Sequence, residues 1–204
     1  MERVGILFVI SGFSGAGKGT ILKEVLSQMP DLKFSVSATS RSPRVDEIDG
    51  VHYHFISNDM FEKYIESEAF VEYAKTFNYY YGTLKSEIEN PIREGRDVIF
   101  DINVVGAKSI KEQYPDCITV FVTPPSLSDL RIRLMGRNSE TEETLDCRIK
   151  EAKKEIIEMQ NYDYIIVNDD VKKCANALIS IIKSAKYQTK RNIDVIKSLS
   201  EEQK

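Results

Sequence analysis

The 204 residues contain no tryptophan, only two histidines and three cysteines, and no excess of positive charge. Each shortage narrows the field. Cys117, Cys147 and Cys174 are odd in number and lack short spacing, which excludes a disulfide framework and a cysteine-rich zinc site. They read as free thiols suited to a reducing cytoplasm. His52 and His54 flank Tyr53 in an expected strand, share one face and have no cysteine nearby, so they read as packing or surface residues. A net charge of −4 argues against nucleic acid as a partner, which calls for a basic surface. No apolar run approaches the roughly 20 residues that span a bilayer, so no membrane association is expected. The short run after Met1-Glu2-Arg3 is too brief for a signal peptide. Apolar residues still make up 42% of the chain, enough for the core of one ordinary domain.

The feature that is present in force lies at residues 12 to 20. Gly12-Phe13-Ser14-Gly15-Ala16-Gly17-Lys18-Gly19-Thr20 follows directly on the apolar run Ile6–Ile10. Closely spaced glycines let successive N–H groups turn inward around phosphate oxygens. The helix expected next adds its free N–H groups and the positive end of its dipole, and Lys18 reaches the outer phosphates of a nucleoside triphosphate. Gly19 stands where a Mg²⁺-ligating Ser or Thr is usual, and Thr20 follows one position later.

Short β-branched runs recur at Ile6–Ile10, Val98–Ile102, Ile118–Val122 and Tyr164–Val167, with Phe34–Ala38 as a fifth. Continuous apolarity predicts strands buried on both faces of a parallel sheet. Helical faces lie between them: Ile21, Leu22, Val25, Leu26 and Met29; then Leu145, Ile149, Ala152, Ile156 and Met159, with Ser139 and Glu142 as a capping box; then Ala175, Leu178, Ile179 and Ile182. This alternation predicts an α/β fold. Residues 37–87 break the rhythm as a small inserted subdomain, with a helix over about 59–68 capped by Asp59 and Glu62. Residues 125–150 form an arginine-dense second insertion. The tail from Tyr187 has scattered apolar residues and is expected to fray.

Four constellations carry chemistry. Arg41 and Arg44, around Pro43, suit one anion, with Tyr53 and Tyr81 as phenolic donors to it. Glu72, in the apolar segment 70–74, either receives the N1–H and N2–H₂ of a guanine or lies on the solvent face of its strand. Arg131, Arg133, Arg137 and Arg148 either build a mobile lid that stabilises phosphoryl transfer or form a solvated basic helix balanced by Glu140, Glu142 and Glu143. Asp101, at a strand's carboxyl end, sits where open α/β sheets bind ligands; it suits Mg²⁺-bound water or a ligand hydroxyl.

Taken together, residues 34–44, 50–55, 70–74 and 80–83, then Arg133–Leu134, Gly136–Arg137, Glu142–Glu143, Arg148 and 166–169, resemble guanylate kinase over about residues 4–183. The resemblance implies a P-loop NTPase-type five-stranded parallel sheet with a nucleoside-monophosphate-binding subdomain (37–87) and an arginine-rich lid (125–150) on a core of about 1–36, 88–124 and 151–186. It implies transfer from ATP, with Mg²⁺, to GMP and dGMP, with Thr20 and Asp101 as metal-side residues. Ser37, Glu72 and Thr83 match the guanine-recognising positions, Arg41, Arg44, Tyr53 and Tyr81 those gripping the acceptor phosphate, and Gly82, Asp101 and Asn103 complete the expected GMP-binding set. Arg133, Arg137 and Arg148 match the lid arginines, and together with Lys18 and Arg41 these are the expected catalytic residues. Asn168 falls near the adenine. After Asp101, the family's second acidic residue is replaced by Asn103, which keeps hydrogen-bonding capacity without charge. A non-catalytic binding module of the same fold is the alternative, and monomer and homodimer are equally open.

Overall fold

A computed structural model describes residues 4–76, 78–136 and 142–202. In chain order these residues form β1 (Leu7–Gly12), α1 (Lys18–Gln28), β2 (Lys33–Phe34), β3 (Ala38–Thr39), β4 (His54–Phe55), α2 (Asn58–Glu66), β5 (Phe70–Thr76), β6 (Tyr79–Leu84) and α3 (Lys85–Arg93). They continue with β7 (Val98–Asp101), α4 (Val104–Gln113), β8 (Ile118–Thr123), α5 (Leu127–Met135), α6 (Glu142–Glu155), β9 (Tyr164–Val167), α7 (Val171–Ala185) and α8 (Ile193–Glu201). The main sheet has the order β2-β7-β1-β8-β9, all parallel. A second sheet, β4-β3-β6-β5, stands apart, with β6 antiparallel to both neighbours.

The continuous apolarity of β1 has a simple cause: helices cover both faces. Phe8 and Ile10 pack with Ile21, Leu22 and Val25 of α1 and Leu178 and Ile182 of α7. Leu7 and Val9, pointing the other way, meet Ile88 of α3 and Ala107 and Ile110 of α4. Strand alternation thus divides one apolar run between two cores. The small sheet has its own core, in which Phe61 of α2 stacks on Phe70 at 4.2 Å and on Tyr80 at 5.1 Å.

Several expectations change. Phe34–Ala38 is not one strand. The chain leaves the main sheet after Ser35 N–H bonds Ile99 C=O at 3.0 Å, and Ala38 pairs with Gly82 in the other sheet. β9 is an edge strand with Tyr164, Ile165 and Val167 exposed, so only Ile166 behaves as a doubly covered residue. Helix α2 is capped by Ser57, whose hydroxyl accepts from Met60 N–H, and not by Asp59. α6 gives way at Ile156 to a 3₁₀ turn running to Asn161. The tighter pitch rotates Ile156 off the buried face, and it is exposed. The tail carries α8, preceded by Lys190 paired with Asp116 at 2.8 Å. The Ser139 cap lies outside the described residues.

Candidate active site

The parallel sheet places the glycine-rich loop at the carboxyl end of β1 and Asp101 at the carboxyl end of neighbouring β7. Gly15 and Gly17 both take φ of +92°, which side chains other than glycine's disfavour. A Cβ on Gly17 would stand 2.5 Å from the Asn168 amide. The close approach has a purpose: Asn168, buried, donates its side-chain amide to Ala16 C=O at 2.7 Å. Arg133 joins from α5, donating to Ala16 C=O at 3.3 Å and to Asn168 C=O at 2.7 Å. Asn168 therefore sits against the loop, braced by Arg133. Arg148 of α6 donates to Ser14 Oγ at 2.9 Å. Both arginines thus reach the loop, whereas Arg131 turns to Asp146. Arg137 lies outside the described residues.

Lys18 opens α1, and its ammonium donates to Gly12 C=O at 2.9 Å, 4.0 Å from Asp101. Burial pushes the Asp101 carboxyl above its ordinary value, and Lys18 draws it partly back. These residues line a cleft of about 660 Å³ with Ser14, Asn103, Glu151, Lys154 and Glu155. Asn103 Oδ1 caps α4 by accepting from Gly106 N–H at 2.8 Å. Thr20 is exposed on the first turn of α1. Glu151 and Glu155 are cleft residues that sequence reasoning missed. Their signal was the spacing 148, 151, 155, which shares one helical face. Burial raises the Glu155 carboxyl, and Lys18 opposes that.

The second sheet assembles the other half of the site. Register sets Glu72 of β5 opposite Thr83 of β6, and Ser37 and Thr83 share a hydrogen bond of 2.9 Å between hydroxyls. Burial pushes the Glu72 carboxyl up, and hydrogen bonds from the Thr83 hydroxyl and main chain pull against it. An ionised Glu72 only accepts, so Thr83 donates to it and Ser37 donates to Thr83. Gly82 is tightly enclosed: a Cβ there would meet the Tyr73 Cβ at 2.7 Å.

Arg41 and Arg44 are not both turned to one open anion position. The Arg41 fork holds Glu47 at 2.5 and 2.6 Å, and Arg44 meets the same carboxylate through its main-chain N–H at 2.8 Å. The Arg44 side chain is exposed. The Arg41 guanidinium carbon lies over the Tyr53 ring, 5.1 Å from the ring centroid, and the Tyr53 and Tyr81 ring centroids are 6.0 Å apart.

The three cysteines are free, Cys117 and Cys174 buried and Cys147 exposed. Among the described residues no group of three or more His, Cys, Asp or Glu is placed to hold a metal, and no helix is long and apolar enough to cross a membrane.

A parallel sheet of this order, with a glycine-rich loop and an invading lysine between β1 and α1, defines a P-loop nucleotide-binding protein. The sequence model of the guanylate kinase family matches residues 5–185. The chain is 41% identical over 202 residues to the guanylate kinase of Caldanaerobacter subterraneus subsp. tengcongensis, covering 99% of this chain and 98% of that one. It is 46% identical over 194 residues to that of Clostridioides difficile, covering 95% of each. The crystal structure of guanylate kinase from Anaplasma phagocytophilum superposes with a TM-score of 0.74 at 26% identity, over 94% of this chain and 91% of that one. The chain belongs to the guanylate kinase family, and its activity is that of an ATP:GMP phosphotransferase.

Proposed function

We propose how the residues of this chain divide the transfer of the ATP γ-phosphoryl group to GMP. The observation that carries the reading is the Ser37–Thr83–Glu72 chain of hydrogen bonds, a part-buried relay ending in a carboxylate. Guanine offers two adjacent donors, N1–H and N2–H₂, to such a carboxylate. Adenine has no such donor pair and would leave the carboxylate's remaining lone pairs unmatched, and that penalty is the source of discrimination. Recognition concentrated on base and phosphate accommodates dGMP as well.

The residue 12–20 loop binds the ATP phosphates through its N–H groups, and Lys18 supplies charge to the group in transfer. Arg41, Arg44, Tyr53 and Tyr81 hold the acceptor phosphate. Arg133, Arg137 and Arg148 add cationic stabilisation from the lid, and Asn168 supports the donor side. Phosphoryl transfer asks for little covalent chemistry, so positioning and charge carry the rate. The donor set suits Mg²⁺, which keeps most of its waters and takes one or two protein oxygens beside phosphate. Asp101, through water, and the Thr20 hydroxyl would hold it, with the neutral Asn103 beside them. When bound, the ion neutralises charge on the phosphates. The acceptor subdomain (37–87) and lid (125–150) close over the core, excluding water. Three free thiols support a cytoplasmic setting.

Initial rates of ADP formation with GMP, dGMP, AMP, CMP and UMP as separate acceptors test the base reading. GMP and dGMP alone should turn over. Turnover with AMP would remove the role given to Glu72. No turnover with any acceptor would favour a non-catalytic module, against which the retained Lys18 argues.

A further inference from the structure

The Arg41 guanidinium is committed on most of its surface. Its ring-facing sides lie 5.1 Å from the Tyr53 centroid and 5.5 Å from the Phe55 centroid. Its end-on fork, one hydrogen each from Nη1 and Nη2, is taken by the two oxygens of Glu47. The other Nη1 hydrogen bonds Ser42 C=O at 3.0 Å. A guanidinium carries five donors. Neither Glu47 nor Ser42 claims the remaining two, on Nε and on the outer side of Nη2, and these form the side-on fork. The Tyr81 hydroxyl, the second phenol assigned to the acceptor phosphate, is within hydrogen-bonding reach of the same guanidinium, so Arg41 and Tyr81 meet at one place.

Glu47 is itself held firmly. Its carboxylate also accepts the Arg44 main-chain N–H, and Glu47 N–H bonds Arg44 C=O at 3.0 Å, closing a turn. The two side chains are only 12% and 16% exposed. A long arginine side chain, which would otherwise sample many rotamers, is thus latched before any acceptor arrives.

We propose that Glu47 is a positioning residue for the acceptor phosphate: it fixes Arg41 end-on and so leaves the side-on edge as the phosphate's binding edge. This rests on reading Arg41 as a ligand of that phosphate. A competing geometry is physically distinct: the phosphate could displace Glu47 and take the end-on fork. The two differ in the sign of one measurement, because removing a latch weakens acceptor binding and removing a competitor strengthens it.

The test is steady-state kinetics of the full chain with Glu47→Gln, in which an amide nitrogen replaces one of the oxygens that latch the fork. The latch predicts a KM for GMP raised about tenfold or more, the size expected when charge-assisted bonds are lost. It predicts kcat and the KM for ATP unchanged within about twofold, and an unchanged inhibition constant for guanosine, which lacks the phosphate. An unchanged or lowered KM for GMP overturns the proposal. So does an equal weakening toward guanosine, which would make Glu47 a general support of the subdomain. Glu47→Ala repeats the comparison should the amide disturb the turn. Arg41→Lys separates the underlying reading: if it leaves the KM for GMP unchanged, Arg41 is no phosphate ligand. If Arg41→Lys raises KM and Glu47→Gln does not, only the latch fails.

Discussion

Asn168 reaches across 152 positions of sequence to donate its amide to Ala16 C=O at 2.7 Å. The bond ties the end of the main sheet to the glycine-rich loop, and Arg133 adds a longer second bond to the same carbonyl. Asn168→Ala should therefore destabilise the fold by about 1–3 kcal/mol, the cost of leaving a buried carbonyl short of a partner. It should also raise the KM for ATP, because the loop loses its brace. Denaturant melts and ATP-dependent rates check both. A loss of stability with no change toward ATP would confine Asn168 to folding.

Glu72 offers a case in which stability and function pull apart. Burial raises its folded-state carboxyl above the ordinary value. Such a group favours the folded state at low pH, and that contribution is lost as pH rises through the raised folded value. Glu72→Gln removes the buried charge, so its melting temperature at neutral pH should equal or exceed that of the parent. Its KM for GMP should nevertheless rise about 10- to 100-fold, since bonds to a charged acceptor are lost. In the parent, GMP affinity should begin to fall on acidification at a pH above that of a free glutamate, as Glu72 takes up its proton. Melts and a pH series of KM for GMP measure both effects.

What could be read along the chain was what is local. The phosphate loop declares itself because glycine spacing, lysine and flanking elements are contiguous. The strands of the main sheet declare themselves because burial on both faces removes alternation. Tyr164–Val167 misled for the same reason: its run is apolar, but an edge position leaves three of the four side chains exposed. Phe34–Ala38 looked continuous because sequence does not mark where a chain passes from one sheet to another. The Glu72–Thr83–Ser37 array depends on register between three strands, so only the resemblance to a family gathered it. Glu47 escaped notice because an acid three residues after Arg44, in a loop, looks like a solvated charge until its bonds are seen.

Asp101 should also trade stability for activity. Its carboxyl is raised chiefly by burial, against the opposing pull of Lys18 4.0 Å away. Folding is thus favoured by its protonated form, and that advantage disappears as pH rises through the raised value. Asp101→Asn should melt at a higher temperature at neutral pH in the absence of nucleotide. Its turnover should drop roughly 10- to 100-fold and need more Mg²⁺ for half-saturation, as when a group holding metal-bound water is lost. Thermal melts and rates across a Mg²⁺ series decide this. Unchanged Mg²⁺ dependence would remove Asp101 from the metal's surroundings.

Two glycines of the loop should respond in opposite ways to the same added methyl. Gly17 takes φ of +92°, and a Cβ there would lie 2.5 Å from the Asn168 amide. Gly17→Ala therefore combines backbone strain with the breaking of the Asn168 brace, and should cost about 2–4 kcal/mol together with most of the ATP-dependent activity. Gly19 lies in the first turn of α1, and a methyl there would have no neighbouring atom within 4 Å among the described residues. Gly19→Ala should leave stability unchanged or improve it by up to about 1 kcal/mol, because alanine gives up less backbone freedom in a helix. Parallel melts of the two variants measure the contrast. ATP-dependent rates add a functional arm, since a methyl at Gly19 that abolished turnover would mean the phosphates approach the helix start so closely that only glycine fits.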